Sequence, residues 1–198
     1  LREKQSNLEG EQVLIRKLRF SDAGDVFINL IGKDENSSTS TSAQPYPGKK
    51  VSRIIRRAIP LRRGTLKFVV QTLCPQKIKK EHKLGIVLKE TGRVIGVITF
   101  SKVDRQNRCA EIGFWIGKKY WGHGFSSEAV RLALKIGFEQ LELHRIYAWT
   151  YEKHIASRKV MERCGFKLEG TMREAVLKDN TRQDILNYGI LKSEYRSV

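Results

Sequence analysis

Two rhythms of apolar residues follow one another along the chain, one of period two and one near 3.6, and their order predicts the elements. Residues 1 to 10 are polar and predict an N-terminal tail ahead of one domain over 11 to 198. Gln12 to Leu18 alternates as a first strand. Ser21 then offers an N-cap hydroxyl to a short helix whose apolar positions are Ala23, Val26, Phe27 and Leu30. Residues 33 to 48, with Ser-Ser-Thr-Ser-Thr-Ser at 37 to 42 and then Pro45 and Pro47, carry no apolar period and have loop composition. Val51, Ile54, Ile55, Ala58 and Ile59 recur at helical spacing and stop at Pro60. Leu66, Val69, Val70 and Leu73 predict another short helix before Pro75, and Lys77 to Lys83 reads as a basic connector.

From Leu84 onward the rhythm changes. Gly85 to Leu88 and Val94 to Phe100 are β-branched runs joined as a hairpin across Glu90 to Arg93, and a turn at Arg105 to Arg108 leads into a third strand, Cys109 to Ile116. Ser126 to Leu141 carries the strongest helical stripe of the chain, formed by Val130, Ala133, Leu134, Gly137, Phe138 and Leu141. A strand at Arg145 to Tyr151, a helix over Ala156 to Cys164 closed by Gly165, and strands at Phe166 to Thr171 and Asp184 to Leu191 complete the order. A mixed sheet flanked by helices defines the α+β class, and that order by itself assigns no reaction.

Composition narrows the picture. With 198 residues, 40% hydrophobic and 30% charged, the chain can bury a core without staples. Cys74, Cys109 and Cys164 lie far apart, without Cys or His neighbours at metal-ligand spacing. They read as reduced thiols with no metal, which predicts a cytoplasmic location. No apolar run approaches membrane-spanning length. The charge is the unusual quantity: 38 Lys and Arg against 21 Asp and Glu leave a net +17. Residues 49 to 83 alone hold 12 basic residues and a single acid, Glu81. Such a field is a solvated surface, or it attracts ribosomal RNA, another nucleic acid or an acidic peptide, and it repels polycations.

Candidate chemistry concentrates between the third strand of this group and the strong helix, in Gly117-Lys-Lys-Tyr-Trp-Gly-His-Gly-Phe-Ser-Ser127. Glycines allow tight turns and close backbone approach, and the helix start that follows offers unpaired N–H groups and a positive dipole end. The segment is built like a phosphate cradle, although a glycine-rich turn of this kind is also a plain connection.

The runs Glu111-Ile-Gly-Phe-Trp-Ile116, Tyr120-Trp-Gly-His-Gly-Phe-Ser-Ser-Glu-Ala129, Leu143-His-Arg-Ile146, Ile155-Ala-Ser157 and Gly165-Phe-Lys-Leu-Glu-Gly170 stand in an order and spacing that resembles the GNAT superfamily. The likeness is strongest to its ribosomal-protein N-terminal acetyltransferase branch. It is specific from Glu111 to Leu191 and looser from Gln12 to Phe100. It implies a GNAT fold, a mostly antiparallel mixed sheet whose fourth and fifth strands, here Cys109 to Ile116 and Arg145 to Tyr151, splay apart to admit acetyl-CoA. It further implies that backbone groups of Phe114, Trp115 and Ile116 pair with the pantetheine arm. By the same likeness Gly122, His123, Gly124, Phe125, Ser126 and Ser127 hold the pyrophosphate. Trp121 and Ser126 depart from the superfamily's usual loop, the first as a mark of the ribosomal branch.

Acetyl transfer to an amine needs the amine neutral, a donor for the carbonyl oxygen and a proton for the departing thiolate. Glu111 is the candidate base, acting through water, with a solvated strand carboxylate as the alternative. Where many GNAT members carry a tyrosine acid this chain has Met161, so the resemblance shifts the role to the Ser157 hydroxyl; a first-turn helix serine is its plainer reading. His154 replaces an asparagine that contacts the cofactor arm, and Glu174, in a loop after Thr171, is an outlying candidate for amine recognition. The expected activity is acetyl transfer from acetyl-CoA to a primary amine, foremost the N-terminus of a protein such as a ribosomal protein, by a monomer or homodimer. A small-molecule amine acceptor, or a weakly catalytic CoA-binding module associated with ribosome or nucleic acid, is the alternative.

Overall fold

The computed structural model describes residues 8–31, 82–178 and 180–196. The loop, the two basic helices and most of the basic connector expected between residues 33 and 81 lie outside the described residues. The described chain forms one eight-stranded mixed sheet in the order β1-β2-β3-β4-β5-β6-β8-β7, with helices on both faces.

β1 (Leu8–Glu9) pairs antiparallel with β2 (Val13–Lys17), so the sheet begins inside the stretch read as a polar tail. β2 keeps the alternation that predicts it: Val13 and Ile15 are fully buried while Leu14 and Arg16 are half-covered. A 3-10 turn, Phe20–Asp22, enters α1 (Ala23–Ile31). Asp22 accepts two hydrogen bonds from the Arg16 guanidinium, at 2.8 and 2.9 Å, and one from the Arg19 amide at 2.7 Å. Asp25 accepts from the Val94 amide and Arg93 Nε, and Asn29 Nδ2 donates to the Val94 carbonyl, which pins α1 to one sheet face.

β3 (His82–Leu88) starts two residues inside the stretch read as a connector. It and β4 (Val94–Asp104) are buried on both faces, which is why their sequences read as continuous apolar runs. Two bulges bend β4. At the first, Ile86 pairs with Gly96 and Val87 with Val94, leaving Ile95 unopposed. Val94 and Val97 thereby share the α1 face, while Ile95, Ile98 and Phe100 enter the main core. At the second, between Ser101 and Asp104, Lys102 takes a left-handed φ of 50°.

β5 (Cys109–Ile116) is antiparallel to β4 and parallel to β6 (Arg145–Tyr151). Between them runs α2 (Phe125–Lys135), which packs Ala129, Val130, Ala133 and Leu134 into the main core. The helix expected to reach Leu141 widens instead into a π-type turn over Ile136–Gln140. Gly137 explains the closeness at this point, since a Cβ there would lie 2.5 Å from Ile146 Cδ1 on β6.

α3 (Ile155–Arg163) ends as its glycine predicts. Gly165 has φ +89°, the Phe166 amide donates to the Met161 carbonyl and the Gly165 amide to that of Glu162. Met161 is 1% exposed and belongs to the core. β7 (Lys167–Lys178) and β8 (Thr181–Leu191) form a much longer hairpin than the two short strands expected. β7 is the sheet edge and nearly all exposed, so it lacks the apolar alternation that reveals a half-buried strand. Glu174 is accordingly not in a loop but in a β7 bulge, with φ 52° and its amide on Asp184 Oδ1.

Candidate active site

β5 and β6 touch over three residue pairs only: Cys109 with Arg145, Ala110 with Ile146 and Glu111 with Tyr147. Beyond Glu111, β5 stays with β4, and beyond Tyr147, β6 stays with β8. The sheet forks there. Residues 112–116 of β5 are left with a strand on one side only, an edge able to accept an extended ligand as an added strand.

A cavity of about 260 Å³ opens from this fork. β5 supplies Phe114, Trp115 and Ile116, the loop and first turn of α2 supply Tyr120, Trp121, Gly122, Gly124, Phe125, Ser126 and Ser127, and the far wall is α3 with His154 before it. Eleven of the twelve residues expected around the cofactor line this cavity, and they come from three separate elements. His123 is the exception: it does not line the cavity, and its ring stacks on Phe125 at 5.5 Å.

The loop has the geometry of a cradle. Gly122 and Gly124 both have φ +83°, and a Cβ on either would meet no atom within 4 Å. Gly124 is the N-cap of α2 and provides no side-chain cap, so the first-turn amides face open space with the positive dipole end behind them. Trp121 Nε1 donates to the Ile116 carbonyl at 3.0 Å, tying the loop to the end of β5. Cys164 does the same for α3. Its Sγ donates to the Ser127 carbonyl at 3.4 Å, and burial pushes this thiol up to about 11, so it remains the protonated donor.

Ala156, Ser157, Lys159, Val160 and Arg163 form the α3 wall, and apart from Ser157 none was expected from the sequence. Their spacing of three and four residues marks one helical face, the signal that could have found them. Among the described residues, the lining holds Lys159, Arg163 and His154 and no carboxylate. With the open glycine cradle and the free β5 edge, this donor set fits a diphosphate joined to an extended amide-bearing arm, as in a CoA thioester.

Ser157 sits in the first turn of α3 and faces the cavity. His154 Nδ1 lies 3.4 Å from Thr150 Oγ1, which orients the ring at the helix entrance. Glu111 is not part of the lining but stands at the crotch of the fork, on the sheet face opposite α2. Its side chain is 16% exposed, and Lys102 Nζ stands 2.7 Å from Oε2. Oε2 is enclosed, and no hydrogen bond of good angle reaches it despite that short approach. The contact holds the Lys102 ammonium above its ordinary range, against the opposing effect of partial burial. Tyr147, directly across from Glu111, is raised by burial and then by the nearby carboxylate charge.

A mixed sheet forked between two parallel strands, with an uncapped helix start and a glycine cradle at the mouth, defines an α+β domain whose fork suits a CoA-type ligand. The profile described as "Acetyltransferase (GNAT) domain" matches residues 12–167, and the chain belongs to this family. An uncharacterised N-acetyltransferase of Bacillus licheniformis, p20, is 36% identical over 114 residues, covering 58% of this chain and 64% of that protein. The ribosomal-protein-serine acetyltransferase of Escherichia coli (strain K12) is 30% identical over 106 residues, 54% of this chain and 59% of that one. The match thus spans less than two thirds of either relative's length. The solved spermidine N-acetyltransferase of Vibrio cholerae in complex with CoA and spermine shares the fold, with a TM-score of 0.71 over 94% of this chain and 99% of that one at 22% identity.

Proposed function

We propose that this chain transfers the acetyl group of acetyl-CoA to a primary amine, and that the amine is a protein N-terminus such as that of a ribosomal protein. The observation that carries the reading is the fork with the glycine cradle at its mouth: the cavity runs along the β5 edge to a glycine-rich helix start, while Glu111 stands at the crotch on the opposite face of the sheet.

When bound, acetyl-CoA supplies the activated acyl group. Gly122, Gly124, Phe125, Ser126 and Ser127 hold the diphosphate through backbone amides, and Phe114, Trp115 and Ile116 offer the β5 edge to the arm. His154 contacts the arm from the far wall. Glu111 takes, through a water, the proton that the neutral amine sheds as it attacks, and Ser157 passes a proton to the departing sulfur and regains one from solvent. His123 takes the role of stiffening the loop through Phe125 rather than touching phosphate.

The ribosomal acceptor rests on the net charge of +17 and on the relative from Escherichia coli. The basic stretch 49–83 would meet a ribosomal or nucleic-acid partner, and the cytoplasm, where reduced thiols persist, is the matching compartment. A polyamine acceptor is the competing reading, suggested by the Vibrio cholerae neighbour.

Release of CoA thiol from acetyl-CoA, followed with a pool of Ala- and Ser-starting peptides and with spermidine at physiological salt, separates these readings. Faster turnover of peptides supports the proposal. Faster turnover of spermidine moves the acceptor to polyamines, and no thiol above background with any amine leaves a CoA-binding module.

A further inference from the structure

The face of the sheet that carries Glu111 has a charge arrangement that the acyl-transfer reading does not use. Along β5, Ala110 and Ile112 point into the main core, so Glu111 points the other way, as does Trp115 toward the α1 face. Along β6, Ile146 and Ala148 enter the core, leaving Arg145, Tyr147, Trp149 and Tyr151 alternating with them. An amine approaching Glu111 from this side meets these groups.

A carboxylate and aromatic π faces are natural partners for a cation. Three of these groups, Glu111, Tyr147 and Tyr151, already carry one from the chain itself. Lys102 Nζ is 2.7 Å from Glu111, the Arg145 guanidinium lies 5.8 Å from the Tyr147 ring centre, and Lys178 Nζ lies 4.8 Å from that of Tyr151. Lys102 is placed by the second β4 bulge, where its φ of 50° departs from the extended strand and turns the side chain onto the crotch.

We propose that Lys102 is a specificity-determining residue that excludes protonated amines from the crotch and so selects acceptors of low basicity. An ammonium beside Glu111 would have to share the carboxylate with a cation already there. A neutral amine would not. At pH 7.5 an α-amino group, with an ordinary pKa of about 7.7–8.0, is about one-quarter to two-fifths neutral, whereas a side-chain-type amine near 10.4 is neutral in only about one molecule in a thousand. Lys102 therefore favours a protein N-terminus over a polyamine. The inference rests on the reading of this cleft as an amine acetyltransferase.

The test compares kcat/KM for a Ser-starting peptide and for spermidine in the wild type, Lys102→Gln and Lys102→Arg. Calorimetric titration of spermidine into the CoA-loaded proteins runs beside it. Because Lys102 is two-thirds exposed and solvent-screened, removal of its charge should raise the spermidine-to-peptide ratio by about three- to tenfold. The Arg variant should keep the wild-type ratio, and spermidine should bind the CoA-loaded Gln variant more tightly than the wild type. An unchanged ratio in Lys102→Gln, with the peptide still acetylated, overturns this inference and leaves the acetyltransferase reading intact. Absence of turnover with every amine overturns that reading instead, and the calorimetry then decides on Lys102 alone: equal spermidine affinity for both proteins rejects it.

Discussion

Substitution at Gly124 separates the cradle from the scaffold that carries it. Its φ of +83° lies where an L-residue pays for its Cβ, and a Cβ built there meets no protein atom within 4 Å. The cost to the free protein is therefore backbone strain without steric clash, about 1–2 kcal/mol. For a domain of this length that lowers Tm by about 2–8 °C. The cost to ligand binding is of another order, because the open space above Gly124 is where the diphosphate would sit. Gly124→Glu fills it with a carboxylate and denies the ligand the first-turn amides. Hydrogen bonds to a charged group contribute about 1.5–3 kcal/mol each, so loss of two corresponds to at least about a hundredfold weaker binding. Calorimetric titration of CoA and a thermal melt, run on wild type, Gly124→Ala and Gly124→Glu, read the two effects separately. Ala should lose about the same stability as Glu and retain more CoA affinity. Unchanged CoA affinity in Gly124→Glu removes the cradle from this loop, and a collapse of the fold in Gly124→Ala refutes the claim that the space above it is empty.

Three further outcomes follow from the same geometry. Ser157→Ala should lower kcat by about 10–100-fold, within or below the usual range for a lost general acid, with CoA affinity nearly unchanged; steady-state kinetics at saturating peptide read it, and equal turnover takes Ser157 out of the reaction. Gly96→Ala should cost about 2–4 kcal/mol in urea unfolding, since its Cβ would lie 2.3 Å from the Trp115 carbonyl oxygen and 3.0 Å from Ile116 Cα, both backbone atoms that cannot swing aside; a loss under about 0.5 kcal/mol contradicts the close β4–β5 approach. Asp22 is subject to burial that alone would raise its pKa, but Arg16 and the Arg19 amide outweigh burial and hold it below the ordinary carboxylate range. Its stabilisation is thus complete above the unfolded value of about 3.9 and fades as pH falls through the lower folded value. Asp22→Asn should cost about 2–3 kcal/mol at pH 7 and flatten the acid limb of the stability curve, whereas an unaltered acid limb shows that the Arg16 pair is not what acid breaks.

Where a residue's environment is made by its own neighbours in the chain, the sequence sufficed. Cys109–Ile116, Arg145–Tyr151 and the glycine-closed helix before Gly165 announce themselves by alternation, helical stripe and C′ glycine. The glycine-rich turn was legible too, but read locally it is also a plain connection, and the cradle reading came from the family resemblance on both sides of it. β7 was not, since an exposed edge strand has no buried face to impose a pattern, and Glu174 was consequently read into a loop. The α3 wall was missed because Lys159, Val160 and Arg163 gain their meaning from an element more than thirty residues away, joined through the Cys164–Ser127 contact.

Taken alone, the sequence determined the kind of sheet and the glycine-rich loop, which depend on residue type and spacing along one segment, and its family resemblance singled out Glu111 and Ser157 as candidates. Only the tertiary structure decided where β5 and β6 part, that His123 turns onto Phe125 instead of the cavity, and that Lys102 reaches Glu111. The first and third are relations between segments, and the second is a side-chain orientation within one loop. A parallel pairing that stops after three residues and a bulge-aimed lysine are set by how strands pack, and no local pattern encodes them.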